Sequence, residues 1–378
     1  MRTAFPAMLL LVALAGTTTV LAQSQAIDRA TLEQRRAEAL MRDARFAPLR
    51  REAYGTDFAR AMAAIEKLRE HGDEAQHIIQ GAVRNWLERD ERTVRSHLAA
   101  LGKAANIRER EEKVLGLQTK ARENIAVLEK GEPVQLAHQL YEQLEQEYAP
   151  LMTHYGAIYD LVAICERQPV LLELRRASAD PRASLATDRQ ESLRAQVEEA
   201  IGMTIAEAVS IRDGGEPGNK TSASKQLLWR YLQCRRIEAY NESVADMFKP
   251  AELENARLVN RYREHIGLLP LEWDARLTQA ARAHSQEMHE LGYFSHESPT
   301  EENRTFGMRC LKAGYQGATG ENIAAGTTSG RRAFWMWFDS PGHHKNMAGG
   351  HNAIGVGLHA DKFTQNFGGG PRLMDAKR

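Results

Sequence analysis

Between about residues 28 and 248, apolar residues recur every three to four positions along stretches dense in Glu, Arg, Gln, Ala and Leu. Leu136, Leu140, Leu144 and Tyr148 form one such stripe. Leu193, Val197, Ile201, Ile205 and Val209 form a second, and Val83, Leu87, Val94, Leu98 and Leu101 a third. A period near 3.6 puts each set on one face of an amphipathic helix, and the composition favours helix as well. Turn chemistry divides the stretches at Gly131-Glu132-Pro133, at Ala179-Asp180-Pro181 and in the polar run from Asp213 to Ser224. Four-residue spacing interrupted by Gly and Pro predicts a local bundle of long helices in preference to an extended coiled coil.

The texture changes after Pro250, with a boundary expected between Met247 and Leu253. Leu253, Ala256, Val259 and Tyr262 predict a helix from Glu252 to Ile266, ended by Gly267. Leu277, Ala280, Ala281, His284 and Met288 predict another from Asp274, ended by Gly292. Gly320-Glu321-Asn322-Ile323-Ala324 precedes a helix bearing Ala333, Phe334 and Trp337. Ser340-Pro341 is expected to cap a further helix with His343 in its first turn. Ile354-Gly355-Val356-Gly357 and Phe363-Thr364-Gln365-Asn366-Phe367 read as two strands separated by a turn.

The first residues change the cellular picture. One basic residue, an apolar run from Ala7 to Ala15 and small residues ending at Ala22 have the order of a secretory signal peptide, which predicts a secreted or periplasmic protein. That run is shorter than the roughly 20 apolar residues of a membrane span, so no transmembrane segment is expected after cleavage. Lys and Arg total 50, as do Asp and Glu. This balance excludes nucleic acid as an expected partner, because phosphate binding needs a basic excess. Cys165, Cys234 and Cys310 form no CxxC pair, which argues against a structural zinc or redox motif. Cys165 and Cys234 are candidates to bridge two helices, and Cys310 reads as a buried apolar residue.

The sequence NRYREHIGLLPLEWD, then FSH, GYQGATGENIA, WFDSPGHHKNM, IGVG and FTQNFG, in that order, resembles the bacterial branch of the CAP superfamily. This is the cysteine-rich secretory, antigen five and pathogenesis-related type, also called SCP domains. The resemblance covers about residues 251 to 369. It implies an α+β chain in which an all-α N-terminal region precedes an α-β-α sandwich with a small antiparallel sheet. The expected division is a signal peptide at 1–22, a helical domain of unassigned role at 23–248, the CAP domain at 249–370 and a tail at 371–378.

Carried over position by position, the resemblance implies a cleft built from His296, Glu321 and His343, where some members bind a divalent cation. Two imidazoles and a carboxylate suit zinc or a similar ion, and a helix N-terminus beside His343 favours its neutral form. The same three side chains also suit a hydrogen-bonded polar cluster that closes the sandwich. Where relatives often carry a second acid after the tryptophan, this chain has Asp339 and Ser340. His284 and His289, five apart, read as packing or surface residues. His344, turned about 100° from its neighbour, reads as solvent-facing. The expected function is a non-catalytic binding module for a lipid, glycan or peptide of the cell envelope. The alternatives are a metal-dependent hydrolase using the His/Glu cleft and an envelope scaffold acting through a protein partner of the helical half.

Overall fold

The computed structural model describes residues 34, 44–103, 106–178, 180, 183–215 and 222–375. The expected signal peptide lies outside the described residues, as do Ala179 and Pro181 of the second expected break. The described residues form two compact units, one from those up to 95 together with those of 167–195, the other from those of 96–166 together with those from 196 to 375.

In the first unit, α1 (Ala47–Ala53) and α2 (Phe58–Arg69) pack with the beginning of α3 (Asp73–Lys103) and the end of α5 (Glu132–Ala177). α6 (Ala183–Ile201) begins in the same unit. Asp57 caps α2 by accepting from the Arg60 amide. Phe46, Ile65, Leu68, Ile78, Val83, Trp86 and Leu171 make the core. Burying each such side chain contributes about 1.5–3 kcal/mol. Trp86 Nε1 donates to Ala53 O at 3.0 Å, and the fully buried Asp90 is ion-paired with Arg167.

The second unit joins further helices to the C-terminal sandwich. They are α4 (Ile107–Ala126), α7 (Ile205–Arg212) and α8 (Ala223–Ser243), with the remaining parts of α3, α5 and α6. The stripe from Leu193 to Val209 does not lie on one helix. Gly202, at φ +68°, ends α6, and Thr204 starts α7 by capping the Glu207 amide. Inside the bundle, Glu111 accepts from Tyr155 Oη at 2.6 Å and from Ser224 Oγ at 2.5 Å. Cys165 and Cys234 are both buried and are not joined to each other, so the candidate bridge between them is not formed.

The sandwich begins with α9 (Pro250–His265), which opens on a proline and ends before Gly267 at φ +81°. It continues through β1 (Glu272–Trp273), α10 (Ala275–Glu290), α11 (Phe306–Lys312), β2 (Ala318–Ala325), α12 (Gly330–Phe338), α13 (Pro341–Met347), β3 (Ala353–His359) and β4 (Lys362–Gly368). The four-stranded sheet has the order β1-β3-β4-β2. It is mixed: β3–β4 and β4–β2 are antiparallel, while the short β1 pairs in parallel with β3.

Strand alternation sorts side chains to two layers. Thr364 and Asn366 of β4 face α10, where Thr364 meets Ser285 Oγ at 2.9 Å. Gln365 and Phe363 face the other layer, reaching Asn255 of α9 and Trp337 of α12. Gly355 and Gly357 let α10 sit almost on the backbone of β3. A Cβ at Gly355 would fall 2.2 Å from Leu277 C, and one at Gly357 2.1 Å from Arg282 N. Buried Glu252 ties the layers together, accepting from Arg282 Nε (2.9 Å) and the Leu358 amide (3.0 Å).

Candidate functional site

Glu321 lies on β2 directly after a register irregularity between Ala318 and Gly320 and opposite Asn366, so it shares the α10-facing layer. Its side chain is 1 % exposed, whereas that of His296, on the loop after α10, is 51 % exposed. His296 Nδ1 lies 2.9 Å from Glu321 Oε1. A carboxylate only accepts, so Nδ1 carries a proton toward Glu321 and the other ring nitrogen, Nε2, is left for a further partner. His343, third in α13 after Pro341, brings its ring centroid to 6.3 Å from that of His296. Burial, and then the charge of His296, push the His343 pKa down. The structure thus brings His296 and Glu321 into direct contact and sets His343 beside His296.

Two partners of Glu321 have no sequence signature. Arg309 of α11, itself 4 % exposed, donates from Nη2 to Glu321 Oε2 at 2.6 Å and to His296 O at 3.1 Å. Its Nη1 holds Asn303 O at 2.7 Å. His284 of α10 is fully buried, with Nε2 3.0 Å from Ser295 O and 4.0 Å from Glu321 Oε1; burial lowers its pKa. Asn366, with its amide nitrogen toward the carboxylate, adds a donor at 3.2 Å to Oε2 and accepts from the Ala281 amide. Arg309 precedes Cys310 on a short helix in which nothing in the spacing marks an inward charge. His284 sits on the apolar stripe of α10, where packing is the ordinary reading.

Asp339 does not join this cluster, because it pairs with His138 of α5 at 2.7 Å. His344 is not solvent-facing. Its Nδ1 donates to Phe338 O at 2.7 Å, its Nε2 meets Tyr262 Oη, and its ring lies 4.2 Å from that of Phe338. His344 and Met347 make the buried face of α13, so the rotation from His343 turns His344 inward and not to water. Burial pushes its pKa down to about 4. Cys310 is buried, and burial followed by the Glu321 charge pushes its thiol up to about 12, which removes it as a nucleophile.

A metal ion would need donors that these residues do not offer together. Both Glu321 oxygens are already engaged. Two imidazoles on one tetrahedral zinc have centroids roughly 5 Å apart, given Zn–N distances of about 2.0–2.1 Å, less than the 6.3 Å between His296 and His343. Among the described residues, no group of three His, Cys, Asp or Glu side chains is arranged to hold an ion. The carboxylate instead orients the imidazole from behind.

A model of the cysteine-rich secretory protein family, CAP, matches residues 256–367. Residues 256–367 form a CAP domain. YkwD, an uncharacterized protein of Bacillus subtilis strain 168, is 37 % identical over 119 residues, covering 31 % of this chain and 46 % of its own length. YlbC, an uncharacterized membrane protein of the same organism, is 36 % identical over 111 residues, or 29 % and 32 % of the two chains. The chain thus spans less than half the length of either relative. An extracellular SCP-domain protein of Bacillus anthracis matches over 40 % of this chain and 45 % of its own, with 28 % identity and a TM-score of 0.29. An outer surface protein of Borrelia burgdorferi matches over 31 % of this chain and 90 % of its own, with 22 % identity and a TM-score of 0.28. No helix among the described residues is long and apolar enough to cross a membrane.

Proposed function

We propose that the chain is exported by its N-terminal segment and that its CAP domain is a non-catalytic binding module. Its cleft takes a polar group of a lipid, glycan or peptide of the cell envelope. One observation supports this reading above the others: the acid beside the two histidines is buried, ion-paired with Arg309 and hydrogen-bonded by His296. A carboxylate held in this way is a poor general base, since it is buried and its charge is already matched by a guanidinium. What remains accessible is a half-exposed imidazole held at Nδ1 beside a second imidazole kept neutral by burial. Such a pair offers hydrogen bonds to hydroxyl, amide or phosphate groups.

Calorimetric titration of the full chain with envelope lipids, muropeptides and peptides tests the proposal, with a chelator present and absent. Saturable binding to one class, unchanged by chelator and weakened about tenfold or more in His296→Ala, is the expected result. No saturable binding to any class, or affinity untouched by that substitution, overturns it. Chelator-sensitive turnover of an ester or peptide would favour a hydrolase instead.

A further inference from the structure

A cavity of about 560 Å³ opens where α5, α8 and α9 meet β1, on residues that take no part in the His296 cleft. Its volume is in the range of small-molecule sites. Tyr148 and Tyr231, both buried, supply apolar walls. Three nitrogens of its lining side chains are buried and have no partner. Trp273, 2 % exposed, leaves its indole Nε1 unmatched, and His265, 5 % exposed, leaves Nδ1. Arg235 gives its terminal nitrogens to Glu238 and Glu264 and leaves Nε unmatched. Indole Nε1 and guanidinium Nε donate only, so both call for an acceptor, and buried donors are seldom left without one.

The charged side chains of the lining select against an ion. Arg257 is matched by Glu242 at 2.9 Å, Arg261 by Glu145, and Arg235 by Glu238 and Glu264, so an anion finds every guanidinium engaged. Burial, ahead of the Glu238 charge, raises the Glu264 carboxyl to about 8, which near pH 7 leaves Glu145, Glu238 and Glu242 against Arg235, Arg257 and Arg261. A cation therefore meets no surplus charge, and it has no lone pair for Trp273 Nε1 or Arg235 Nε. A carbonyl oxygen brings two lone pairs and no hydrogen. Hydroxyl groups suit the exposed rim, because they donate to carboxylates such as Glu242 and accept from guanidiniums such as Arg257.

We propose that this cavity binds a neutral N-acetylated saccharide, its acetamido carbonyl accepting from Trp273 Nε1, a hydroxyl oxygen accepting from Arg235 Nε, and a pyranose ring lying against Tyr148 and Tyr231. The acetamido group answers the donor-only indole, the hydroxyls answer the mixed-charge rim, and the C–H face of the sugar takes the apolar wall. Tyr148 comes from α5, and Tyr231, Arg235 and Glu238 from α8. Part of the helical segment thus carries recognition of its own, independent of the His296 cleft.

Isothermal titration of the full chain with N,N′-diacetylchitobiose near neutral pH tests this. Saturable binding is expected, unchanged in His296→Ala and about tenfold weaker or worse in Trp273→Phe, which keeps an aromatic ring and removes the indole donor. Cellobiose has the rings without the carbonyl, and deacetylated chitobiose carries ammonium groups instead, so each should bind about tenfold more weakly or worse. In protein isotopically labelled at tryptophan, the indole N–H resonance that Trp273→Phe removes should move downfield as the acetylated sugar saturates the site. No saturable heat, an unmoved Trp273 resonance, or equal binding of cellobiose, of deacetylated chitobiose or of N-acetyl-dialanine amide would each overturn the proposal. So would loss of binding in His296→Ala, which would put the sugar in the cleft, or retained affinity in a Trp273→Phe protein of native circular dichroism.

Discussion

Replacing Gly355 by alanine tests the account of how the sandwich is assembled. The added Cβ would sit 2.2 Å from Leu277 C and from Thr278 N and 2.5 Å from Leu277 Cβ, where ordinary contact begins near 3.4 Å. Relief needs a separation of about 1.2 Å between α10 and β3. The obstructing atoms are backbone, so no rotamer change supplies it. Overpacking costs typically about 1–3 kcal/mol, and a clash with main chain belongs at or above the upper end. For a unit of this size, about 3 kcal/mol lowers Tm by roughly 6–12 °C. Lifting α10 also draws His284 away from Glu321, so the cleft should loosen with the core. Gly116→Ala is the control, because Gly116 is an exposed position of α4 with nothing within 4 Å of a new Cβ, and the change should stabilise by about 0.5–1 kcal/mol. Scanning calorimetry of the three proteins reads both effects. A Gly355→Ala protein within about 0.5 kcal/mol of wild type would refute the close-approach argument.

Further outcomes follow from the buried charges and thiols. His344 and His265 are both held near pKa 4 by burial against an ordinary value of 6.5. Between those limits the unfolded chain takes up protons that the folded one refuses, so each costs up to about 3 kcal/mol of stability as pH falls from 6.5 to 4. Glu264, with its pKa raised, acts oppositely as pH rises from 4.5 to 8, so the difference between wild type and His344→Gln is the useful quantity. The urea midpoint of the variant should decline less over the acid window, and parallel profiles would refute the assignment. Arg309→Met leaves Glu321 buried without its guanidinium and should cost about 3–5 kcal/mol, partly recovered by adding Glu321→Gln. A double-mutant cycle with no coupling would show the pair to be inert. The buried thiols of Cys165, Cys234 and Cys310 should react with a thiol reagent only after denaturation, and a disulfide found by mass spectrometry would contradict this.

Much of the architecture was readable because caps and breaks are local. Asp274 accepts from the Arg276 and Leu277 amides at the start of α10, and Gly267 and Gly292 take the left-handed conformations expected after two helices. The meeting of His296 with Glu321, and the nearness of His343, were legible only through the resemblance, since the residues come from a loop, a strand and a helix distant in sequence. β2 escaped notice because both its faces are buried and one carries polar groups: Glu321, Asn322, Ile323 and Ala324 are all enclosed, which erases the alternation that marks a half-exposed strand. The second helical stripe misled for the opposite reason. Its four-residue spacing continues past Gly202 although the backbone does not, and only the Thr204 cap marks the new start. Arg309 and His284 illustrate a further limit, because an inward charge becomes intelligible only once its counter-charge is placed in space.

The polar layer on the far side of β2 from Glu321 has a consequence for recognition. Asn255, Gln365, Asn322 and Asn346 hand hydrogen bonds along a buried line that ends on the carbonyls of His343 and Glu321, while Asn255 also grips Gly330 O. Asn255, Gln365 and Asn322 each donate and accept, and Asn346 donates twice, so β2, α12 and α13 hold their spacing before anything arrives. A visitor at His296 therefore meets a surface with little freedom left to surrender. Changes in preference can be written into the exposed rim while this amide relay stays as it is.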